Sequence, residues 1–262
     1  MTHPTTRRNV LRGTVAATAL AATAAGPTGV AQASPDGTAL ADAKGRSGPT
    51  IGILIFDGYS MLDPTGPAEV LSRIPDATVM MIAEQRGPVR TDTGDVALIA
   101  ERSLAEVGHL DVLLVSGGGY RGMDEALENQ SILNFIRESH RHTRWTTSVC
   151  SGGLLLAAAG LLKGREAAVH WLAAEQLQKR FGVTYSPQRY VHSGKIITSA
   201  GVSAGVDMSL YLASLIAGED TARAIQLAIE YDPQPPFDSG NAAEASDELK
   251  RRAAELLSAS EV

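Results

Sequence analysis

The chain contains a single cysteine, Cys150, set in Ser148-Val149-Cys150-Ser151-Gly152 between a run that reads as a buried strand and a helix-forming stretch. A thiol at a helix N-terminus meets unpaired N–H groups and the positive end of the helix dipole. Both favour the thiolate and can also hold an anion on a bound substrate. Ser151, Gly152 and Gly153 are small enough for a sharp strand-to-helix turn that leaves the sulfur approachable, the geometry of a nucleophile elbow. A buried, inert thiol is the commoner fate of a lone cysteine, and spacing alone leaves both readings open.

Three further groups bear on that choice. Gly117-Gly118-Gly119 follows an apolar strand, so its backbone should emerge at the same carboxyl edge of a sheet as Cys150, where open α/β sheets bind ligands. Its amides, with that of Ser151, would form an anion hole; an ordinary Gly-rich turn is the plainer reading, and the G-x-x-x-x-G-K-[ST] phosphate loop is absent. Asp63 precedes Pro64 just past the first strand, which suits a helix N-cap, although an acid on that edge could also move protons at a reacting carbon. His170, before Trp171, is the remaining candidate for a thiol's base. His140 and His142 sit on a polar helix end and should be solvated. No H-E-x-x-H pattern or cysteine cluster occurs, so no metal is expected.

The elements that must position these residues alternate. Thr50–Phe56, Thr78–Ala83, Leu110–Val115 and Trp145–Val149 read as strands, the first and third apolar enough to be covered on both faces. Helical spacing covers Pro64–Ile74, Ser131–Arg141, Gly153–Leu162, Trp171–Phe181, Ala204–Ile216 and Thr221–Tyr231. Tyr190–His192 and Ile196–Ser199 form a hairpin about Ser193-Gly194, and a smaller β excursion runs through Val96–Ala100. This order predicts one α/β domain with a mostly parallel sheet sandwiched by helices.

Composition agrees: 44% of residues are hydrophobic but only 5% aromatic, with 26 glycines to let helices pack closely. At the N-terminus, Arg7-Arg8 and an Ala-rich run to Ala25 resemble a twin-arginine export signal, with Ala31-Gln32-Ala33 as the cleavage pattern. That reading makes residues 1–33 a signal peptide, 34–49 a flexible linker, 50–240 the catalytic domain and 241–262 a helical tail. The protein would be exported to the periplasm or beyond and meet a membrane only in transit. Losing the signal removes three arginines and no acids, taking the formal charge from −6 to −9, which speaks against nucleic-acid binding.

In order along the chain, Ile51-Gly-Ile-Leu-Ile-Phe-Asp-Gly58, Leu62-Asp-Pro-Thr-Gly-Pro67, Val115-Ser-Gly-Gly118, Ser148-Val-Cys-Ser-Gly152, Gly160-Leu-Leu-Lys-Gly-Arg165 and His170-Trp171 resemble the ThiJ/PfpI superfamily from about Thr50 to Phe237. The Leu-Asp-x-Thr-Gly-Pro and Val-Cys-[ST]-Gly pairing and the Glu230–Phe237 segment most resemble its isonitrile hydratase branch. The resemblance implies a flavodoxin-like, class I glutamine amidotransferase-like fold, a homodimer, no cofactor, and hydration of a small isonitrile to a formamide. It casts Cys150 as nucleophile, Asp63 as acid/base, and Ser151 in a position the family usually fills with Thr. The peptidase-like branch carries His directly after the cysteine, where this chain has Ser151. Only about 25 residues follow Phe237, short of the helix-turn-helix domain of the regulator branch. A glyoxalase- or deglycase-like enzyme, and a non-catalytic ligand- or redox-sensing module, remain the alternatives within the same fold.

Overall fold

The computed structural model describes residues 48–262. The signal read in residues 1–33 and most of the linker lie outside them. Within the described residues, eleven strands and eight α-helices follow one another. The strands are β1 (Thr50–Leu54), β2 (Thr78–Ala83), β3 (Gly87–Arg90), β4 (Ala97–Ala100), β5 (Arg102–Ser103), β6 (Val112–Val115), β7 (Trp145–Ser148), β8 (Glu166–Ala167), β9 (Thr184–Tyr185), β10 (Tyr190–Ser193) and β11 (Ile196–Ser199). The helices are α1 (Leu62–Leu71), α2 (Tyr120–Glu128), α3 (Gln130–His142), α4 (Gly152–Ala158), α5 (Ala174–Phe181), α6 (Ala204–Ala217), α7 (Glu219–Ala228) and α8 (Asp247–Ser260).

Seven strands form the main sheet in the order β10-β11-β7-β6-β1-β2-β5. All neighbours run parallel except β10 on β11. The strand period of two divides the apolar side chains between two cores. Ile51, Ile53 and Ile55 join Val112 and Leu114 beneath α1, α6 and α7, whereas Leu54 and Phe56 join Leu113 and Val115 beneath α2 to α5. A strand buried on both faces has no polar side to show, hence the unbroken apolar runs in β1 and β6.

From β1 the chain moves to β2 on one side and returns through β6 on the other. That reversal makes β1/β6 the switch point of the sheet, and its carboxyl edge is the natural crevice. The exits of β1, β6 and β7 lie side by side there.

Local departures from the sequence reading have physical causes. The helix expected over Gly153–Leu162 is α4, which stops at Ala158 and gives way to turns in which Gly160 and Gly164 adopt φ +82° and +70°. The helix read from Trp171 opens with a tight 3₁₀ turn, Trp171–Ala173, before α5. Helix α2 was not expected at all, because the glycines leading into it read as loop. Helix α8 buries none of its residues and leaves Leu249, Leu256 and Leu257 exposed.

Candidate active site

Cys150 stands between β7 and α4 with φ +59°, a left-handed conformation that a residue carrying a Cβ adopts only at a cost of about 1–3 kcal/mol. Three backbone bonds hold it there: Val149 N–H to Val115 O at 3.0 Å, Cys150 N–H to Ala200 O at 2.8 Å, and Gly152 N–H to Val149 O at 2.9 Å. Gly152 is obligatory, because a Cβ there would lie 2.5 Å from the Val115 carbonyl and 2.7 Å from that of Ser116. The thiol is thus turned off the end of β7 at the mouth of α4.

Asp63 reaches the same place from α1. It occupies the second position of the helix rather than its N-cap; Met61 is the cap residue and makes no side-chain capping bond. The capping reading therefore gives way to a tertiary one. Asp63 is fully buried, and its Oδ2 accepts the Gly117 N–H from the exit of β6 at 2.8 Å. Oδ1 has no hydrogen-bond partner among the described residues, and the Cys150 thiol is near enough to influence the carboxyl's ionisation.

The electrostatics follow from burial. Loss of water raises the Asp63 carboxyl to about 7, and the nearby Asp92 carboxylate adds to this against the Gly117 amide and the thiol. Burial, then the charge of Asp63, pushes the Cys150 thiol well above its ordinary range, only partly offset by hydrogen bonds from Ser151. Burial outweighs the helix N-terminus and favours the protonated thiol.

Ser151 is tied to the strand exit by two bonds: its Oγ accepts the Gly118 N–H at 2.9 Å and donates to the Gly118 carbonyl at 3.0 Å. Gly119 donates its N–H to the Gly58 carbonyl at 3.0 Å. All three glycine amides are therefore spent inside the protein, on Asp63, Ser151 and Gly58. The anion hole expected from Gly117, Gly118 and Gly119 is not open in this arrangement; the glycines instead position the acid and the hydroxyl.

His170 is not hydrogen-bonded into this group. Its Nδ1 accepts the Leu172 N–H at 3.4 Å, its ring tilts against Trp171, burial lowers its basicity, and it makes no bond to Cys150, Asp63 or Ser151. His142 is exposed beside Glu138. His140 is not solvated as expected: it is half-buried, with Nδ1 2.8 Å from Thr146 Oγ1. The sequence reading missed Ser60 and Asp92, joined at 2.7 Å beside Asp63. Thr91-Asp92-Thr93-Gly94 showed only a turn signal.

Comparison with known proteins gives four relevant likenesses. Residues 49–215 match the model of the DJ-1/PfpI family. The isonitrile hydratase of Pseudomonas putida is 40% identical over 211 residues, covering 79% of this chain and 91% of that protein. A crystal structure of a ThiJ/PfpI family protein from Pseudomonas syringae superposes with TM-score 0.76 at 31% identity, over 87% of this chain and 94% of that one. An oxidised DJ-1 from Toxoplasma gondii, 18% identical with TM-score 0.62 over 71% of this chain and all of that one, shares the fold.

Proposed function

The chain belongs to the DJ-1/PfpI family, and from that premise we propose that it is a cysteine-dependent hydratase that converts small isonitriles to N-substituted formamides. The convergence at the switch-point edge of the Cys150 elbow after β7 and the buried Asp63 carboxyl, held by Gly117 after β6, carries this reading. Its likeness to the Pseudomonas putida isonitrile hydratase supports the choice of substrate.

The terminal carbon of R–N≡C accepts a nucleophile and must also gain a proton. With one proton on the pair, Asp63 takes it from the thiol as sulfur attacks and returns it to the isonitrile carbon, giving the thioimidate R–N=CH–S–Cys150. Water then adds to that carbon, Asp63 accepting one of its protons while the nitrogen gains one. Collapse breaks the C–S bond, releases R–NH–CHO and returns a proton to sulfur. The sum is R–NC + H₂O → R–NH–CHO, with no redox change. A carboxyl poised near pH 7 suits both halves of this exchange. Ser151, anchored at both ends of its hydroxyl, keeps the Gly118 backbone against the elbow.

A redox-sensing role draws less support, because burial that keeps the thiol protonated slows its oxidation. Assaying the purified protein on a panel of alkyl isonitriles beside methylglyoxal separates the hydratase from a glyoxalase-like relative. Formamide formation is expected. Turnover of methylglyoxal without any formamide would overturn the assignment.

A further inference from the structure

Asp92 lies outside every motif that carries the family likeness, in the turn between β3 and β4. Its Oδ2 accepts the Ser60 hydroxyl at 2.7 Å and its Oδ1 the Thr93 N–H at 2.9 Å, while its own N–H donates to the Tyr59 carbonyl at 3.0 Å. Ser60 donates its N–H to the Gly117 carbonyl at 3.1 Å, and its carbonyl accepts the Asp63 N–H at 3.0 Å. Gly117 closes the ring by donating to Asp63 Oδ2 at 2.8 Å. The carboxylate that anchors Ser60 therefore sets both peptide groups that hold Asp63.

We propose that Asp92 is a positioning residue for the Cys150–Asp63 pair: through Ser60 it fixes where the Asp63 carboxyl sits, and its negative charge keeps a proton on the pair. The inference rests on that pair being the reactive unit, not on the isonitrile being its substrate. Asp63 is faced by the thiol from the elbow, the Gly117 amide from β6 and the Asp92 carboxylate from the turn, with no cation in the set. Asp92 is faced by Tyr59 and Ser60, and by the chain end. There Val262 donates its N–H to the Asp92 carbonyl at 3.1 Å, and the Glu261 carboxylate accepts the Tyr120 N–H at 2.9 Å. The nearby cation, Arg90, turns to the Gly94 carbonyl at 2.9 Å. A second carboxylate left unneutralised beside a buried acid and thiol disfavours the loss of their last proton.

The test measures the rate at which iodoacetamide alkylates Cys150, the only cysteine, as a function of pH, in wild type, Asp92→Asn, Asp92→Glu and Ser60→Ala. Asparagine keeps an acceptor for Ser60 but removes the charge, so its alkylation profile should move to lower pH; Asp92→Glu should restore it. Ser60→Ala keeps the charge and should leave the profile in place while lowering kcat for formamide by about 10–100-fold. An Asp92→Asn profile superimposable on wild type overturns the electrostatic half, and wild-type kcat in Ser60→Ala overturns the positional half. A wild-type protein that makes no formamide would sink the hydratase reading, while the alkylation profiles would still decide the electrostatic half of this one.

Discussion

Gly117, at the exit of β6, donates its amide to Asp63 Oδ2 at 2.8 Å, although Asp63 belongs to the first turn of α1, 54 residues earlier. The bond ties together the exits of the two strands that flank the switch point, so the acid takes its orientation from a neighbouring strand rather than from its own helix. Position 117 also has no room for a side chain: a Cβ would stand 2.6 Å from both the amide nitrogen and Oγ of Ser151 and 2.9 Å from Asp63 Oδ2.

Gly117→Ala should therefore push the acid and the hydroxyl apart, lowering kcat/KM by about 100-fold and destabilising the fold by about 1–3 kcal/mol. Steady-state kinetics with a urea titration of the same preparation would check both, and near-wild-type turnover would contradict the geometry.

Asp63 makes stability depend on pH. Its folded-state value of about 7 lies above the ordinary 3.8, so its contribution to stability is fully present below about pH 4 and is lost as pH rises through about 7. Asp63→Asn cannot ionise. The variant should gain on wild type as pH rises from 5 to 8.5, by about 3 kcal/mol, while losing most of its activity. Urea titrations at the two pH values measure the gap; the same gap at both would contradict the raised value.

Ser151→Ala removes both bonds between the elbow and Gly118 and leaves a part-buried N–H without its acceptor, at a cost of about 1–3 kcal/mol. Activity should fall by about 10–100-fold through loss of alignment. Ser151→Thr keeps the oxygen and should retain turnover within a few-fold. Kinetics on the two variants would discriminate, and equal losses in both would show that the hydroxyl is not what matters.

Much of this arrangement was legible in the sequence, because strand and helix periods are local. The apolar runs in β1 and β6, the small residues after Cys150 and the order of motifs pointed to an elbow on a parallel sheet. What stayed hidden depends on tertiary partners. Asp63 before Pro64 reads as a cap until Gly117 is seen to take the carboxylate. The glycine run suggests free amides until Asp63, Ser151 and Gly58 are seen to claim them. The glycines leading into α2 read as loop and hid the helix, and within it a Cβ at Gly122 would lie 2.6 Å from the Asp57 carbonyl, so the helix can pack only with glycine at that point. Asp92 looked like turn punctuation because nothing local joins it to Ser60, 32 residues away.

The most direct test of the central claim is mass-spectrometric measurement of N-alkylformamide formed from a small alkyl isonitrile by wild type and by Cys150→Ala at equal concentration. The account predicts multiple turnovers for wild type and background formation for Cys150→Ala. Formamide produced at the wild-type rate without the thiol, or none produced with it, would contradict it.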